Sequence, residues 1–377
     1  MAHSARVAIV GPTYPYKGGI AQHTTELAHR LGRRGVAVEI VSWSAQYPQR
    51  LYPGQQHVQV PEQEPFGNTS YPLSWRRPDG WVRTGRRLRR RVDAVVLVIV
   101  TPFHAPAYLG LLAGLGRQTR VVTLCHNVLP HERRRGDVPL TRALLRRADA
   151  VLVHVQAEAE RARLLTSAPV TIAGMPPSLW SDIRPVPRHP HPDGLTAPRR
   201  RLLFFGIVRP YKGLDLLLRA LSEAPDVSLT VAGEFWDSEP ATRALAAELG
   251  ISDRVQLRPG YVAAHEVPAL FAAADALVLP YRSGTATQNA QVAHLYGLPV
   301  VGTRVGTLPD HIRDGVNGLL VPPDDPAALA AALRRLYEPG VLPRLRANVK
   351  SPDIDGEWEG YLAALTNLLS TPAGCAM

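Results

Sequence analysis

The stretch Leu202-Leu203-Phe204-Phe205-Gly206-Ile207-Val208-Arg209-Pro210-Tyr211-Lys212-Gly213 decides how the rest of the chain reads. An apolar run enters a glycine turn carrying two cations, and a leucine-rich segment follows (Leu214, Leu216, Leu217, Leu218, Leu221). Such a run, bounded by turn residues, marks a strand buried on both faces, as in a parallel sheet. Arg209 and Lys212 then sit at the mouth of the next helix, where backbone N–H groups and the helix dipole already favour an anion. A weaker copy opens the chain: Arg6-Val7-Ala8-Ile9-Val10-Gly11, with Gly18-Gly19 before an amphipathic helix. Two such halves predict an α/β chain of two doubly wound, Rossmann-like domains facing a cleft.

Length agrees, since 377 residues suit two domains better than one core. An apolar fraction of 45% with 20% charged residues argues against disorder. No apolar run approaches the ~20 residues of a membrane span, and no apolar segment precedes Arg6 to suggest a signal peptide. Cys125 and Cys375 supply neither a disulfide framework nor metal-ligand spacing. The expected compartment is the cytoplasm, with peripheral contact at the inner membrane face as an addition.

The formal net charge is +11, and it is concentrated in Arg83, Arg86, Arg87, Arg89, Arg90 and Arg91 and again in Arg133, Arg134 and Arg135. No helix-turn-helix, zinc or aromatic-platform pattern accompanies these runs, so nucleic acid is set aside as a partner. Two readings stay open: a solvated arginine-rich face, or contact with an anionic membrane or a phosphorylated substrate.

Strands are predicted at Arg6–Val10, Val36–Trp43, Val92–Val100, Arg120–Leu124 and Ala150–Val155, with helices at Pro106–Leu115 and Leu140–Arg147. Gln46–Gly80 reads as a long irregular insertion. Proline crowds residues 176–200, which predicts a linker between a domain at 1–175 and a second at 201–352. In the second, strands are expected at Leu202–Gly206, Val227–Gly233, Val255–Leu257, Ala276–Pro280, Pro299–Gly302 and Gly318–Val321. Residues 353–377 hold a helix with Trp358, Tyr361, Leu362, Leu365 and Leu368 on roughly one face.

Several pieces then fall in order: Gly206…Lys212-Gly213, Val231-Ala232-Gly233-Glu234, Arg258-Pro259-Gly260-Tyr261-Val262 and Ala272-Ala273-Ala274-Asp275-Ala276-Leu277-Val278-Leu279-Pro280-Tyr281. Gly297-Leu298-Pro299-Val300-Val301-Gly302-Thr303, Val305-Gly306-Thr307-Leu308-Pro309-Asp310 and Asp314-Gly315-Val316-Asn317-Gly318-Leu319-Leu320-Val321-Pro322-Pro323 complete the set. In order and spacing the chain resembles the family-4 retaining glycosyltransferases with the GT-B architecture, most closely from Leu202 to Leu336.

The resemblance implies a nucleoside-diphosphate sugar held mainly by the second domain, an acceptor on the first, and a last helix that crosses back to the first domain. Lys212 falls at the family's phosphate-binding lysine. The family arginine directly after the glycine is absent: Ile207 stands there, and Arg209 comes two residues later. Together Arg209 and Lys212 would stabilise the departing diphosphate without a metal. Gly18 and Gly19 match the first-domain glycine loop, and His126 matches the histidine that faces the donor sugar. His104 and His23 are weaker candidates. Gly206, Gly233 and Tyr261 join the donor site, with the base read by backbone near Gly233–Trp236 and Gly260–Val262.

The family's two glutamates, about eight residues apart, would fall at Gly284 and Val292, and no acid lies between Tyr281 and Gly297. Gln291 would hold the ribose instead, and Ser283, Gly284, Thr285 and Thr287 would read the sugar, largely through backbone N–H groups. The expected function is a metal-independent transferase with no cofactor. The acceptor is a glycan, a lipid-linked molecule or a small molecule, in cell-surface polysaccharide, glycolipid or secondary-metabolite assembly. A non-catalytic GT-B scaffold that binds a nucleotide or glycan, and a GT-B phosphorylase or epimerase, remain as alternatives. A dinucleotide fingerprint and a Walker lysine motif are absent.

Overall fold

The computed structural model describes residues 5–52, 54–130, 133–178, 200–236, 239–284 and 286–370. The chain divides into two compact units, residues 1–181 with 354–377, and residues 182–353.

The first unit is built on β1 (Arg6–Val10), β2 (Ala37–Ala45), β3 (Thr69–Ser74), β4 (Ala94–Ile99), β5 (Arg120–Cys125), β6 (Ala150–Val153) and β7 (Val170–Ile172). They pair in the order β3-β2-β1-β4-β5-β6-β7, all parallel. Helices α1 (Gly19–Arg33), α2 (Pro78–Arg89), α3 (Ala105–Leu115), α4 (Asp137–Leu145) and α5 (Gln156–Arg163) connect the strands. Side-chain alternation divides the central strands between two cores. Val10, Val95, Leu97 and Val121 pack on one face with α3, while Val7, Ile9, Val96 and Val122 pack on the other with Leu27, Ala28 and Leu31 of α1.

Helices α2 and α3 touch backbone to backbone. A Cβ on Gly114 would lie 2.2 Å from the Val82 carbonyl oxygen, and one on Gly85 would lie 1.9 Å from that of Leu111. Gly114→Ala is therefore expected to destabilise the first unit by about 1–3 kcal/mol through forced separation of the helices. Urea unfolding checks this, and an unchanged midpoint would refute it. On its other face α2 carries much of the first arginine run: Arg83 pairs with Asp79, and Arg87 reaches Glu39 at 3.1 Å.

The second unit repeats the plan with β8 (Arg200–Phe205), β9 (Val227–Gly233), β10 (Val255–Pro259), β11 (Ala276–Leu279), β12 (Val300–Thr303) and β13 (Gly318–Val321). These strands pair in parallel in the order β10-β9-β8-β11-β12-β13. Helices α6 (Leu214–Ser222), α7 (Glu239–Glu248), α8 (Val267–Ala272), α9 (Asn289–Leu295), α10 (Leu308–His311), α11 (Pro326–Leu336) and α12 (Val341–Ala347) surround them. In both sheets the order runs outward in two directions from a central pair, β1/β4 and β8/β11. Above their carboxyl ends lies the crevice where ligands bind in open α/β sheets.

The last helix, α13 (Ile354–Ser370), belongs to the first unit. It buries Trp358, Tyr361, Leu362 and Leu365 in the core that holds Val7 and Ile9. Trp358 Nε1 donates to the Pro177 carbonyl at 3.0 Å, and Arg30 reaches Asp355 at 2.9 Å.

One expectation is corrected. Residues 46–80 are not irregular throughout, because β3 forms at Thr69–Ser74 and α2 starts at Pro78. Pro72 hid the strand, since proline is tolerated only where no ladder bond is required, and β3 is an edge strand with an irregular register against β2. Strand β7, three residues long, carried too little apolar periodicity to be predicted. The proline-rich segment lies mostly outside the described residues, as do Thr285 and Cys375.

Candidate functional site

In the second unit β8 ends at Phe205, and the backbone turns at Gly206 into a single 3-10 turn over Pro210–Lys212 before α6. Two glycines make this path possible. Gly213 has φ +68°, and a Cβ there would sit 2.1 Å from the Pro280 carbonyl oxygen. A Cβ on Gly233 would lie 2.0 Å from the Gly206 carbonyl oxygen. The ends of β8, β9 and β11 are thus drawn together at the crevice with no side chains between them.

Lys212 folds back over this floor. Its Nζ lies 3.3 Å from where a Gly206 Cβ would be and 5.6 Å from the centre of the Tyr281 ring. The side chain is half-buried, and among the described residues no carboxylate pairs with it. Burial lowers its pKa from the ordinary lysine value, and nearby Arg209 adds to the lowering. The Arg209 guanidinium stacks over Trp236 at 4.4 Å. A partly buried ammonium beside a glycine turn and a helix N-terminus is an arrangement that favours an anion.

The segment after β11 supports this turn. Asn289 Nδ2 donates to the Phe205 carbonyl at 3.1 Å and to the Tyr281 hydroxyl at 3.2 Å. Thr287 N donates to Thr307 Oγ1 at 3.2 Å. Ser283 is exposed, and Gly284, Thr287 and Tyr261 are partly exposed. Gln291 lies on α9 and is 3% exposed, so its amide sits inside the fold rather than at the surface. Sequence reasoning missed Arg282, whose guanidinium takes both oxygens of Asp215 at 2.7 and 2.6 Å. The partners stand 67 residues apart, and no local pattern joins them.

In the first unit Gly18 has φ +93° with open space where a Cβ would be, and it opens α1 at Gly19. The segment before it is tied down: Thr13 and Thr25 hydroxyls meet at 2.6 Å, and Lys17 N donates to the Gln56 carbonyl at 3.2 Å. His126 follows β5, but its ring is only 5% exposed and lies 5.2 Å from the His23 ring and 4.9 Å from that of His154. His23 in turn stacks on Trp358 at 5.0 Å. His104, by contrast, belongs to an aromatic group with Trp43 and Tyr47.

The hydrogen bonds fix the tautomers. His154 Nδ1 lies 3.1 Å from the Ala173 carbonyl, which can only accept, so Nδ1 carries the proton. In the neutral ring Nε2 is then an acceptor, and His126 Nδ1, 3.2 Å away, must donate to it. That leaves His126 Nε2 as a lone-pair acceptor with no partner among the described residues. Burial, reinforced by the other rings, lowers the pKa of His23 and His126 well below the usual imidazole value, and burial alone takes His154 down to about 4. The cluster is neutral at pH 7. Among the described residues no group of three or more His, Cys, Asp or Glu could hold a metal ion.

Two family models match consecutive stretches: "Glycosyltransferase Family 4" over residues 17–173 and "Glycosyl transferases group 1" over residues 199–339. The chain belongs to the family-4 glycosyltransferases of GT-B fold. Among curated family members, the D-inositol 3-phosphate glycosyltransferase of Mycolicibacterium gilvum is 38% identical over 38% of this chain and 33% of its own length. That of Frankia alni is 37% identical over 47% of each chain. The chain thus spans about a third to a half of these relatives in the aligned regions. A longer match, to the enzyme of the same name from Xylanimonas cellulosilytica, is 29% identical over 93% of this chain and 91% of the relative.

Solved GT-B structures give the same fold. Sucrose-phosphate synthase from Thermosynechococcus elongatus superposes with a TM-score of 0.70 at 17% identity, covering 96% of this chain and 99% of that one. HepE of Anabaena, solved with UDP-glucose, gives 0.70 at 16% identity over 96% and 99%. No described helix of this glycosyltransferase is long and apolar enough to cross a membrane.

Proposed function

We propose that this protein transfers a sugar from a nucleoside-diphosphate sugar to an acceptor hydroxyl, with retention of configuration and without a metal. One observation carries the reading: the half-buried ammonium of Lys212, with no carboxylate partner among the described residues, at a glycine turn before α6. A diphosphate leaves only if its growing negative charge is met, and Lys212, Arg209 and the backbone of the turn would meet it. The bond from the anomeric carbon to the phosphate oxygen breaks as the acceptor oxygen bonds to that carbon. The acceptor proton passes to the departing phosphate oxygen on the same face, so no protein base is required. His126 would orient the donor sugar, with Nε2, buried and without a partner among the described residues, as the one ring atom left to accept a hydroxyl once a sugar reaches it. Gly18, Gly19, Gly206, Gly233, Tyr261, Ser283, Gly284, Thr285 and Thr287 would complete the donor contacts through backbone and small side chains.

UDP is the first nucleotide to test, because HepE is solved with UDP and with UDP-glucose. The names of the curated relatives and the net charge of +11 favour a phosphorylated acceptor of small polyol type. Peripheral contact with an anionic membrane through the α2 arginines, in the cytoplasm, belongs to the same reading. The absence of acids between Tyr281 and Gly297 favours one second reading, a non-catalytic scaffold that binds nucleotide without turning it over.

Thermal unfolding with UDP, GDP, ADP and dTDP tests both. A nucleotide at a hundredfold above its Kd should add about 2.7 kcal/mol of stability. A shift with one nucleotide that is lost in Lys212→Ala supports the donor site. No shift with any nucleotide sinks it. A shift without product across phosphorylated and unphosphorylated polyol acceptors supports the scaffold.

A further inference from the structure

Among the described residues no carboxylate pairs with Lys212, yet the turn that carries it is fastened from the other side by residue 282. Arg282 N donates to the Tyr211 carbonyl at 2.7 Å, and Arg282 Nη1 donates to the Pro210 carbonyl at 3.0 Å. The peptide groups just before Lys212 are therefore both held from this single residue. The same guanidinium grips Asp215 through both carboxylate oxygens and reaches Asp324 through Nε at 2.8 Å. Asp215 lies in the first turn of α6, and Asp324 lies in the turn between β13 and α11. Asp324 has φ +56°, in the left-handed region that Asp enters more readily than most residues with a Cβ.

Electrostatics gives the clamp a second role. An acid in the first turn of a helix occupies the same positive potential that would attract a phosphate. Asp215 is such an acid, three positions after Lys212, and unpaired it would repel an anion at the turn. Arg282 holds its carboxyl below the usual carboxylate range, chiefly by direct hydrogen bonding, so Asp215 stays ionised but paired. Lysine could not do this, since a single ammonium lacks the planar fork that serves Asp215, Asp324 and a carbonyl together.

We propose that Arg282 is a positioning residue for the second phosphate of the donor: it fixes the Pro210–Lys212 turn and screens Asp215, and so sets the preference for a nucleoside diphosphate over a monophosphate. The proposal rests on the reading of Lys212 as an anion site. It takes the place of no family glutamate, because its contacts are with the turn and with Asp215 and Asp324.

Calorimetric titration of UDP and UMP, or of the matching pair for another base, into the full-length protein tests it. Arg282→Ala and Arg282→Lys are each expected to weaken diphosphate binding about tenfold or more, as loss of charge-assisted hydrogen bonds implies, and to change monophosphate binding much less. Adding Asp215→Asn to Arg282→Ala should restore part of the diphosphate affinity. Equal losses for both nucleotides would show a merely structural role and overturn the proposal, as would wild-type affinity in both single variants. If Arg282→Ala does not fold, Arg282→Lys and Asp324→Asn carry the test with the same expected ratio. If the wild-type protein binds no nucleoside diphosphate and Lys212→Ala changes nothing, the anion site itself fails. That outcome is distinct from a live site indifferent to Arg282.

Discussion

Lys212→Ala is expected to lower turnover by about two to three orders of magnitude, the effect typical of removing one preorganised donor to a developing oxyanion. The side chain lies over Gly206 and the Tyr281 ring, is partly withdrawn from water, and has no acid to neutralise it among the described residues. Its charge therefore interacts most strongly with whatever anion enters the turn. Folding should not suffer, because the variant removes a desolvated cation rather than a contact in the core. Initial rates with the donor whose nucleotide raises the unfolding temperature, set beside the unfolding temperature of the free variant, check both statements. Rates within threefold of wild type would refute the role of Lys212. Lys212→Arg should recover little, since the longer planar group meets Gly206 and Asn289 where the ammonium now sits.

Acid is expected to weaken the first unit strongly. The folded chain keeps His23, His126 and His154 neutral, whereas in the unfolded chain each binds a proton near the ordinary value of about 6.5. The unfolded state then holds more protons as pH falls, so stability is full above that value and drops below it. His154, down to about 4 when folded, contributes a loss of about 3 kcal/mol between pH 7 and pH 4. His23 and His126 shift in the same direction and add to it. Urea unfolding followed by tryptophan fluorescence checks this, since Trp358 stacks on His23 and reports on the cluster. A flat profile from pH 7 to pH 4.5 would show that the rings are wetter than this packing implies.

Much of this was legible in the sequence, and the reasons are local. The sequence places β9 and β13 at their observed bounds because each is a short apolar run closed by glycine or proline. The Gly206–Gly213 turn was legible because its glycines and cations follow one another along the chain. What escaped depends on distant pairs. Asp215 and Arg282 make one bidentate contact from 67 positions apart, and His126 and His154 share a hydrogen bond from 28 apart. His126 was expected to face the donor sugar. Its place in a buried relay, with only Nε2 left to accept, depends on the Ala173 carbonyl, which no sequence pattern marks. Gln291 is expected from its amide to hold the ribose, and its 3% exposure comes from the packing of α9, which residue type does not encode.

The docking of α13 onto the first unit has a consequence for how the molecule is made. Trp358, Tyr361, Leu362 and Leu365 complete a core begun by Val7 and Ile9, yet they leave the ribosome after the whole of the second unit. The second unit can finish folding during synthesis, while the first waits with an uncovered apolar face until residue 365 emerges. The domain that begins the chain is thus the last to be completed, and a chain truncated near Asp353 would leave it open to aggregation.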